Sequence, residues 1–244
     1  MNSEYDWAME QAIQDLHYEA VMERAKKEQC IYLFVEGDSE EKSFDNLLFK
    51  SDYDIDKEGI VLANYGGNGN LKNVLKFFKN TLSSERPAII TYDDDINGKK
   101  FIEDLKREYN HDQRITFFKI PINPIIKYKE GIVGGSFEEI FDKSFFIESC
   151  FSNEFLKDKP ENHLNIFLKD FCDTKPWFKQ VEKYFYSIQE MINKVDLAIF
   201  LSERITEVPE TIIRLVDVLK EVRMNYPIKH PDDVELPQIR GLTC

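Results

Sequence analysis

Residues 89–100 read Ile-Ile-Thr-Tyr-Asp-Asp-Asp-Ile-Asn-Gly-Lys-Lys, and the interpretation of the whole chain starts from this stretch. The apolar run over residues 87–92 predicts a short buried strand, which stops at three consecutive aspartates. Carboxylates crowded at the end of a buried strand repel one another, and this costs free energy unless a cation lies between them. In open α/β sheets the carboxyl ends of the strands are where ligands bind. The stretch therefore predicts a site that holds a cation.

Asp93 and Asp95 are the candidate ligands of a divalent cation. Their spacing of two residues points both side chains the same way if the strand geometry continues. The alternative is a strand-to-helix turn in which an aspartate caps the helix, since Asp is a favoured N-cap. A cap accounts for one aspartate and leaves two unexplained, so this stretch favours the cation.

Length and composition bound the class of protein. The chain has 244 residues, of which 42% are hydrophobic and 32% charged, as expected for a soluble protein of one domain, or one domain plus an appendage. The sequence contains no run of eighteen apolar residues, so no membrane span is predicted. The N-terminal residues show no secretory pattern. The net charge of −13 argues against a protein that coats nucleic acid, but not against an enzyme that touches it locally.

The positions of the cysteines and histidines in the sequence argue against several kinds of site. The four cysteines lie far apart without a C-x-x-C pair, so neither a disulfide framework nor a structural zinc site is predicted. A reducing cytoplasm fits this usage. The four histidines are scattered too, so a histidine-based metal site or triad is not expected.

Apolar runs and amphipathic segments alternate along the first half of the chain. Strands are predicted at residues 30–35, 60–65, 87–92 and 115–120, with helices at 42–49, 71–82 and 101–109 between them. This alternation predicts an α/β fold, a Rossmann-like, mostly parallel sheet flanked by helices. Residues 121–135, rich in proline and glycine, are predicted to form a loop.

Helices are predicted on both sides of this core. Residues 5–27 have apolar side chains at helical spacing and predict a packing helix. Beyond residue 145 the chain is predicted to be helical, with one long apolar stripe over residues 177–199 after Pro176 and a second helix at 210–224 after Pro209. The predicted divisions are an N-terminal helix (1–28), an α/β core (29–148), a helical C-terminal part (149–225) and an extended tail (226–244).

A second acidic segment follows the first predicted strand. Glu36 ends that strand, Gly37 allows the tight turn, Ser39 is the predicted helix cap, and Glu40 lies in the first helical turn. An alternative interpretation of Glu40 is that it only complements the helix dipole. This interpretation does not apply to Glu36, because Glu36 precedes the helix. The glycines within residues 66–70 are too irregular for a nucleotide fingerprint and predict a flexible turn near the phosphate backbone of a substrate.

The two acidic strand ends face one crevice if their strands are neighbours in the sheet. Carboxylate ligands of this kind suit Mg²⁺ or Mn²⁺ better than zinc. A third acid, Glu138, follows Ser136, and a capping box with that serine is as good an interpretation of it as a supporting metal role.

Val35-Glu36-Gly37, followed by Asp93-x-Asp95-x-x-Gly98, resembles the TOPRIM domain, and most closely the TOPRIM half of the OLD-family nucleases. Two downstream segments resemble that family as well. Residues 136–138 are similar to its acid-bearing segment after the last strand, and residues 193–198 to the lysine-bearing start of its C-terminal helix. The resemblance covers roughly residues 29–225.

The resemblance implies metal-dependent cleavage of phosphodiester bonds in DNA or tRNA. By carry-over, one cation is held by Glu36, Asp93 and Asp95, and Glu40 and Glu138 help to place a second. Lys194 then stabilises charge on the phosphoryl oxygens, the alternative being a solvated helix lysine.

The sequence contains no G-x-x-x-x-G-K-[ST] motif, so the ATPase half of the longer family members is expected to be missing. By analogy, a separate regulatory protein, possibly an ATPase, would control the nuclease as the toxic effector of a phage-defence system. A homodimer stays open. Two other hypotheses are a non-catalytic TOPRIM-like binding module and a receiver-like phosphoacceptor domain, which the D-x-D-x-x-G order fits poorly.

Overall fold

The computed structural model describes residues 3–81, 86–109, 111–156 and 162–233. Its centre is a four-stranded parallel sheet with the order β2-β1-β3-β4. The strands are β1 (Ile31–Val35), β2 (Ile60–Asn64), β3 (Ala88–Asp93) and β4 (Ile115–Ile120). The predicted α/β fold with a mostly parallel sheet is confirmed.

Ten α-helices lie in the described residues and flank this sheet. They are α1 (Ser3–Glu28), α2 (Asp38–Phe49), α3 (Asn68–Thr81), α4 (Ile96–Tyr109), α5 (Lys143–Cys150), α6 (Asn153–Leu156), α7 (Asn162–Phe167), α8 (Trp177–Ser187), α9 (Lys194–Arg204) and α10 (Glu210–Asn225). Short 3₁₀ segments occur at Lys129–Gly131, Phe137–Ile140 and Pro231–Asp233. The predicted tail thus begins with one 3₁₀ turn, and its last residues, 234–244, lie outside the described residues.

The two central strands place the acidic segments side by side. β1 pairs with β3 in parallel register, with Leu33 opposite Ile89 and Phe34 opposite Ile90. Both strands are continuous apolar runs because helices cover both faces of the sheet. Since parallel strands end at the same edge of a sheet, Glu36 and Asp93 leave the sheet as neighbours.

The sheet separates two hydrophobic cores. On one face Phe34, Ile90 and Tyr92 pack with buried side chains of α3 and α4. On the other face Leu33, Val35 and Ile89 join a larger core built from α2, α5, α8, α9 and α10. Each buried Leu, Ile or Phe in these cores contributes roughly 1.5–3 kcal/mol. The helical C-terminal part is therefore packed directly on the sheet.

Three predicted segments differ from the structure. The predicted loop at residues 121–135 contains a small antiparallel hairpin, β5 (Ile126–Lys127) with β6 (Val133–Gly134). The predicted helix over 177–199 is two helices, because Gln189 adopts a positive φ of 59° and ends the first one. Asn193 then caps α9 by accepting a hydrogen bond from the Val195 N–H at 2.9 Å.

The predicted cap of the second helix is also wrong. α2 begins at Asp38, so Ser39 lies inside the helix and is buried, and the cap position belongs to Gly37. Glu40 lies in the first turn, as predicted. Pro176 and Pro209 stand directly before α8 and α10. None of the described helices is both long enough and apolar enough to cross a membrane.

The N-terminal helix does not pack as predicted. Its apolar side chains face solvent, with Met9 52%, Ile13 58% and Leu16 66% exposed. Burial begins only near its C-terminal end, where Ala25 is fully covered. The apolar spacing predicted the helix correctly, but the packing face has no partner among the described residues of this chain.

We expect two leucines to differ sharply in their contribution to stability. Leu47→Ala in α2, where the side chain is fully buried, should lower the free energy of unfolding by about 2–5 kcal/mol. Leu16→Ala in α1 should change it by less than about 0.5 kcal/mol because nothing packs on that side chain. Urea unfolding of both variants measures this, and a comparable loss for Leu16→Ala would show that α1 is packed in solution.

Candidate functional site

Glu36 and Asp93 meet at the carboxyl end of the sheet. The Asp93 N–H donates a hydrogen bond to Glu36 Oε2 at 3.2 Å. Asp93 Oδ1 is buried and accepts no hydrogen bond from the described residues. In the structure these two acids therefore lie side by side, as the sequence predicted.

The three consecutive aspartates play three different structural parts. β3 ends at Asp93, so the strand geometry that would align Asp95 with it does not continue. Asp95 Oδ1 instead accepts a hydrogen bond from the Gly98 N–H at 2.6 Å and caps the start of α4. The cap alternative is thus correct for Asp95. Its charge still raises the pKa of Glu36, so it lies beside the acid pair.

Asp94 turns away from the other two. Its side chain is buried and lies 3.4 Å from Lys99 Nζ through Oδ1 and 3.9 Å from Lys119 Nζ through Oδ2. The lysines of the chain itself neutralise this carboxylate. Only Asp93 and Asp95 of the triplet therefore remain for an external cation.

Glu138 and Lys194 form an ion pair at the same end of the sheet. Ser136 makes its capping box with Glu139, whose Oε2 accepts hydrogen bonds from the Ser136 N–H and hydroxyl at 2.7 Å. Glu138, although buried, is left to pair with Lys194, whose Nζ lies 2.9 Å from Glu138 Oε1. The capping box thus belongs to Glu139, although Glu138 lies in the same first turn and its Oε2 accepts a hydrogen bond from the Ser136 hydroxyl at 2.9 Å. Lys194 is partly solvated, with 42% of its side chain exposed, and is also paired with Glu138.

Burial and mutual repulsion dominate the electrostatics of this cluster. Burial raises the pKa of Glu36, and it raises that of Asp93 well above its ordinary value, with the charges of Glu40, Glu36 and Glu138 adding to the shift. Burial likewise raises the pKa of Glu40 to about 7. Four of the six predicted site residues, Glu36, Glu40, Asp93 and Glu138, therefore share one electrostatic environment.

Lys194 carries the positive charge of this cluster. Burial lowers its pKa, but the neighbouring charges of Glu138, Asp93 and Glu40 outweigh burial, so the pKa is raised and the ammonium stays charged. Lys194 is the first residue of α9, which packs against α2, the helix that carries Glu40. The C-terminal helix α9 thus brings Lys194 to Glu138, which lies in the 3₁₀ turn at Phe137–Ile140.

The sequence analysis missed two residues that support the acids. Tyr65, directly after β2, is buried, donates a hydrogen bond to the Thr91 carbonyl at 2.9 Å and interacts with the Glu36 carboxylate. Glu139 fixes the entry to α8, since its Oε1 accepts from the Trp177 N–H at 2.8 Å. A polar residue directly after a strand was a usable signal for Tyr65. No signal distinguished Glu139 from Glu138.

The carboxylates have the chemistry that a divalent cation prefers, but those in the described residues are not gathered around a single ion position. Their donors are all oxygen atoms, as Mg²⁺ and Mn²⁺ prefer, and the buried Asp93 Oδ1 lacks a hydrogen-bond donor. Within the described residues no three acidic, histidine or cysteine side chains are gathered closely enough to coordinate one ion. Glu138 is held by Lys194 and Asp95 by the Gly98 N–H, which keeps two of the candidate ligands apart from the others.

The parallel sheet has the order β2-β1-β3-β4, with acids directly after its two central strands. Residues 31–95, which include both acidic strand ends, match the family model described as "Overcoming lysogenization defect protein-like, TOPRIM domain". No curated protein matches the sequence.

Solved structures support the same fold beyond the matched residues. One structure of the C-terminal region of the Xanthomonas campestris pv. campestris OLD protein has a TM-score of 0.54 at 14% identity, covering 80% of this chain and 97% of that one. A second structure of the same region has a TM-score of 0.50 at 14% identity, covering 81% and 95%. At these identities the likeness concerns the fold alone, and it extends into the C-terminal helices.

Two glycine substitutions should change stability in opposite directions. A Cβ at Gly98 would lie 2.2 Å from the Asp93 carbonyl oxygen, so Gly98→Ala should lower the free energy of unfolding by about 1–3 kcal/mol. A Cβ at Gly69 in α3 meets nothing within 4 Å, so Gly69→Ala should raise it by about 0.5–1 kcal/mol. Chemical denaturation measures both, and equal effects would contradict the close approach at Gly98.

We expect the acid cluster to make stability depend on pH in the presence of EDTA. Because the pKa of Glu40 is about 7 in the folded protein and 4.5 ordinarily, the folded state binds the extra proton, and its stabilisation is lost as pH rises from about 4.5 through about 7. Glu40 alone accounts for roughly 3 kcal/mol of that loss. Glu40→Gln should flatten the pH profile of the unfolding free energy, and an unchanged profile would place Glu40 outside the repulsive cluster.

Proposed function

We propose that this chain is a divalent-cation-dependent nuclease that hydrolyses phosphodiester bonds in DNA or tRNA. The observation that carries the proposal is the meeting of Glu36 with Asp93, 3.2 Å from Glu36 Oε2 to the Asp93 nitrogen, at the carboxyl end of a TOPRIM sheet. The match of residues 31–95 to the OLD-like TOPRIM model supports it. Mg²⁺ or Mn²⁺ is the proposed cofactor.

Two groups of carboxylates would hold the cations. Glu36 and Asp93, with Asp95 beside them, would hold one, and Glu40 and Glu138 would help to place a second. A bound divalent cation supplies an activated water at neutral pH and neutralises charge on the leaving oxygen.

The residues of the chain contribute positioning and charge. Burial raises the pKa of Glu40 to about 7 while no cation is bound, and a cation placed beside it would favour the ionised carboxylate. Lys194 keeps its ammonium charged at the same place and would stabilise the developing charge on the phosphoryl oxygens. Its ion pair with Glu138 holds it there before a substrate arrives.

The turn after β2 would border the path of the substrate. Gly66 and Gly67 have positive φ values of 68° and 87°, which glycine adopts without strain. The Gly67 N–H donates to the Glu36 carbonyl at 2.8 Å, so this turn lies against the end of β1. A turn without side chains at this place leaves room for a phosphate backbone beside Glu36.

The biological setting is part of the proposal and rests on the likeness to OLD proteins. The chain would act in the cytoplasm as the toxic effector of a phage-defence system, restrained by a separate protein, possibly an ATPase. Co-expression with candidate ATPases encoded beside it, scored by growth of the host with and without phage, tests this role. Toxicity that no neighbouring protein modifies would count against a separate regulator.

Substitution of either central acid should abolish hydrolysis. Glu36→Gln and Asp93→Asn should lower cleavage of DNA or tRNA in Mg²⁺ or Mn²⁺ by at least about 10²-fold, since each removes a charged ligand while keeping the shape of the side chain. Asp45→Asn, at an exposed acid of α2, is the matched control and should cleave as the wild type does.

Calorimetric titration of Mn²⁺ provides the second measurement. Glu36→Gln, Asp93→Asn and Asp95→Asn should all weaken Mn²⁺ binding, whereas Asp45→Asn should not. Equal cleavage by the wild type and Glu36→Gln would remove the catalytic proposal. Intact Mn²⁺ binding without cleavage of either nucleic acid would favour the alternative of a non-catalytic TOPRIM-like module.

A further inference from the structure

One segment of this acidic chain has an excess of basic residues. Residues 96–129 contain eight Lys or Arg and four Asp or Glu, although the whole chain has a net charge of −13. The eight are Lys99, Lys100, Lys106, Arg107, Arg114, Lys119, Lys127 and Lys129. This segment forms the edge strand β4, the helix α4 that packs on one face of the sheet, and β5 of the hairpin.

Two of these lysines contact Asp94, the residue that follows Asp93 in sequence. Lys99 Nζ is 3.4 Å and Lys119 Nζ 3.9 Å from the two oxygens of Asp94. The Asp94 side chain turns away from the acid cluster, so these ammonium groups lie one residue along the chain from the proposed cleavage centre. Each remains partly accessible, with 31% of the Lys99 and 42% of the Lys119 side chain exposed.

A third lysine extends this positive charge along β4. Lys106 Nζ donates to the Tyr92 hydroxyl at 3.2 Å and lies 5.8 Å from the centre of the Phe117 ring. Tyr92 is paired with Lys119 in the register of β3 and β4. Lys99 and Lys119 share Asp94, and Lys119 and Lys106 share the neighbourhood of Tyr92, so the three lysines lie in sequence along α4 and β4 and are called the lysine row.

The nearby acids cancel only part of this charge. Asp94 offsets one of the two charges of Lys99 and Lys119, whereas Asp104 pairs with Arg107 at 3.6 Å and Glu108 with Lys72 of α3 at 3.0 Å. Glu103, exposed on α4 between Lys99 and Lys106 in sequence, is a further acid whose charge opposes theirs. The structural alternative for Lys119 is that a lysine on the edge strand β4 prevents edge-to-edge association.

We propose that the lysine row binds the phosphodiester backbone of the nucleic-acid strand and directs it into the acid site. This inference rests on the proposed nuclease function and deepens it by naming the substrate-binding surface. A row of ammonium groups contacts successive phosphates and releases their counterions, which gives binding that is independent of sequence and sensitive to salt. It also supplies the attraction that the acid site, itself negative, cannot.

The double variant Lys106→Gln/Lys119→Gln tests the lysine row. Binding of short fluorescent single-stranded DNA and RNA of one sequence is measured by anisotropy in Ca²⁺, with gels to verify that the strands stay intact. We expect the affinity for both strands to fall on the order of tenfold at low salt. The slope of the logarithm of the binding constant against the logarithm of the salt concentration should become shallower by about 0.7 per lysine removed. Lys220→Gln, at an exposed lysine of α10 on the opposite face of the sheet, should bind as the wild type does.

Several results would decide the matter. Unchanged affinity and slope in the double variant would overturn the inference and leave edge protection as the function of Lys119. Should that variant fail to fold, Lys106→Arg/Lys119→Arg keeps both charges and must bind like the wild type, and a tenfold loss there would equally overturn it. Loss of binding in the glutamine variant with retention in the arginine variant supports it.

The small substrate bis(p-nitrophenyl) phosphate separates this inference from the nuclease proposal. It offers no extended backbone, so its hydrolysis should be equal in the wild type and the glutamine double variant. If the wild type cleaves nothing but its binding still depends on the lysine row, the inference holds and the nuclease proposal fails. If cleavage of nucleic acid proceeds equally in both proteins, the nuclease proposal holds and the inference fails.

Discussion

Repulsion among buried carboxylates is the constraint on which the rest of this structure depends. Glu36, Glu40, Asp93 and Glu138 converge at one end of the sheet, and burial raises the pKa of the first three. Glu36 and Asp93 cannot move apart to reduce this repulsion, because the parallel register of β1 and β3 holds the ends of the two strands side by side. Protonation relieves part of this repulsion, as the raised pKa values show, and the ammonium group of Lys194 relieves another part.

The compensation explains why the C-terminal helices belong to the site. Lys194 begins α9 and Glu138 lies in the 3₁₀ turn at Phe137–Ile140, so neither comes from the strands that carry the other acids. Both are positioned by the large core that α8, α9 and α10 share with β1 and α2. The same hydrophobic burial that stabilises the domain therefore aligns the charges. Removing the helices would expose that core and separate the ion pair at once.

Local signals made the strands and the first acid pair predictable from sequence. Apolar runs predicted β1 and β3, and the rule that parallel strands end at one edge predicted that Glu36 and Asp93 meet. Assignments that depend on a distant partner were not predictable. Glu138 and Glu139 have the same chemistry, and only Trp177 and Lys194 distinguish them. The helical spacing of apolar residues also continued past Gln189, so the sequence did not reveal that the positive φ of this residue ends the helix. In α1 the spacing predicted a helix but could not show that its apolar face is exposed.

The aspartate triplet shows why a count of charges is a poor guide to function. Asp93 and Asp94 are adjacent in sequence but have different partners, and they therefore have different structural roles. Asp93 joins the acids, Asp94 holds Lys99 and Lys119 at the edge of the sheet, and Asp95 caps α4. Negative and positive surfaces are thereby separated within three residues. The net charge of −13 does not show this separation, because it is a sum over the whole chain. A protein that binds both cations and phosphates needs negative charge at one place and positive charge at another.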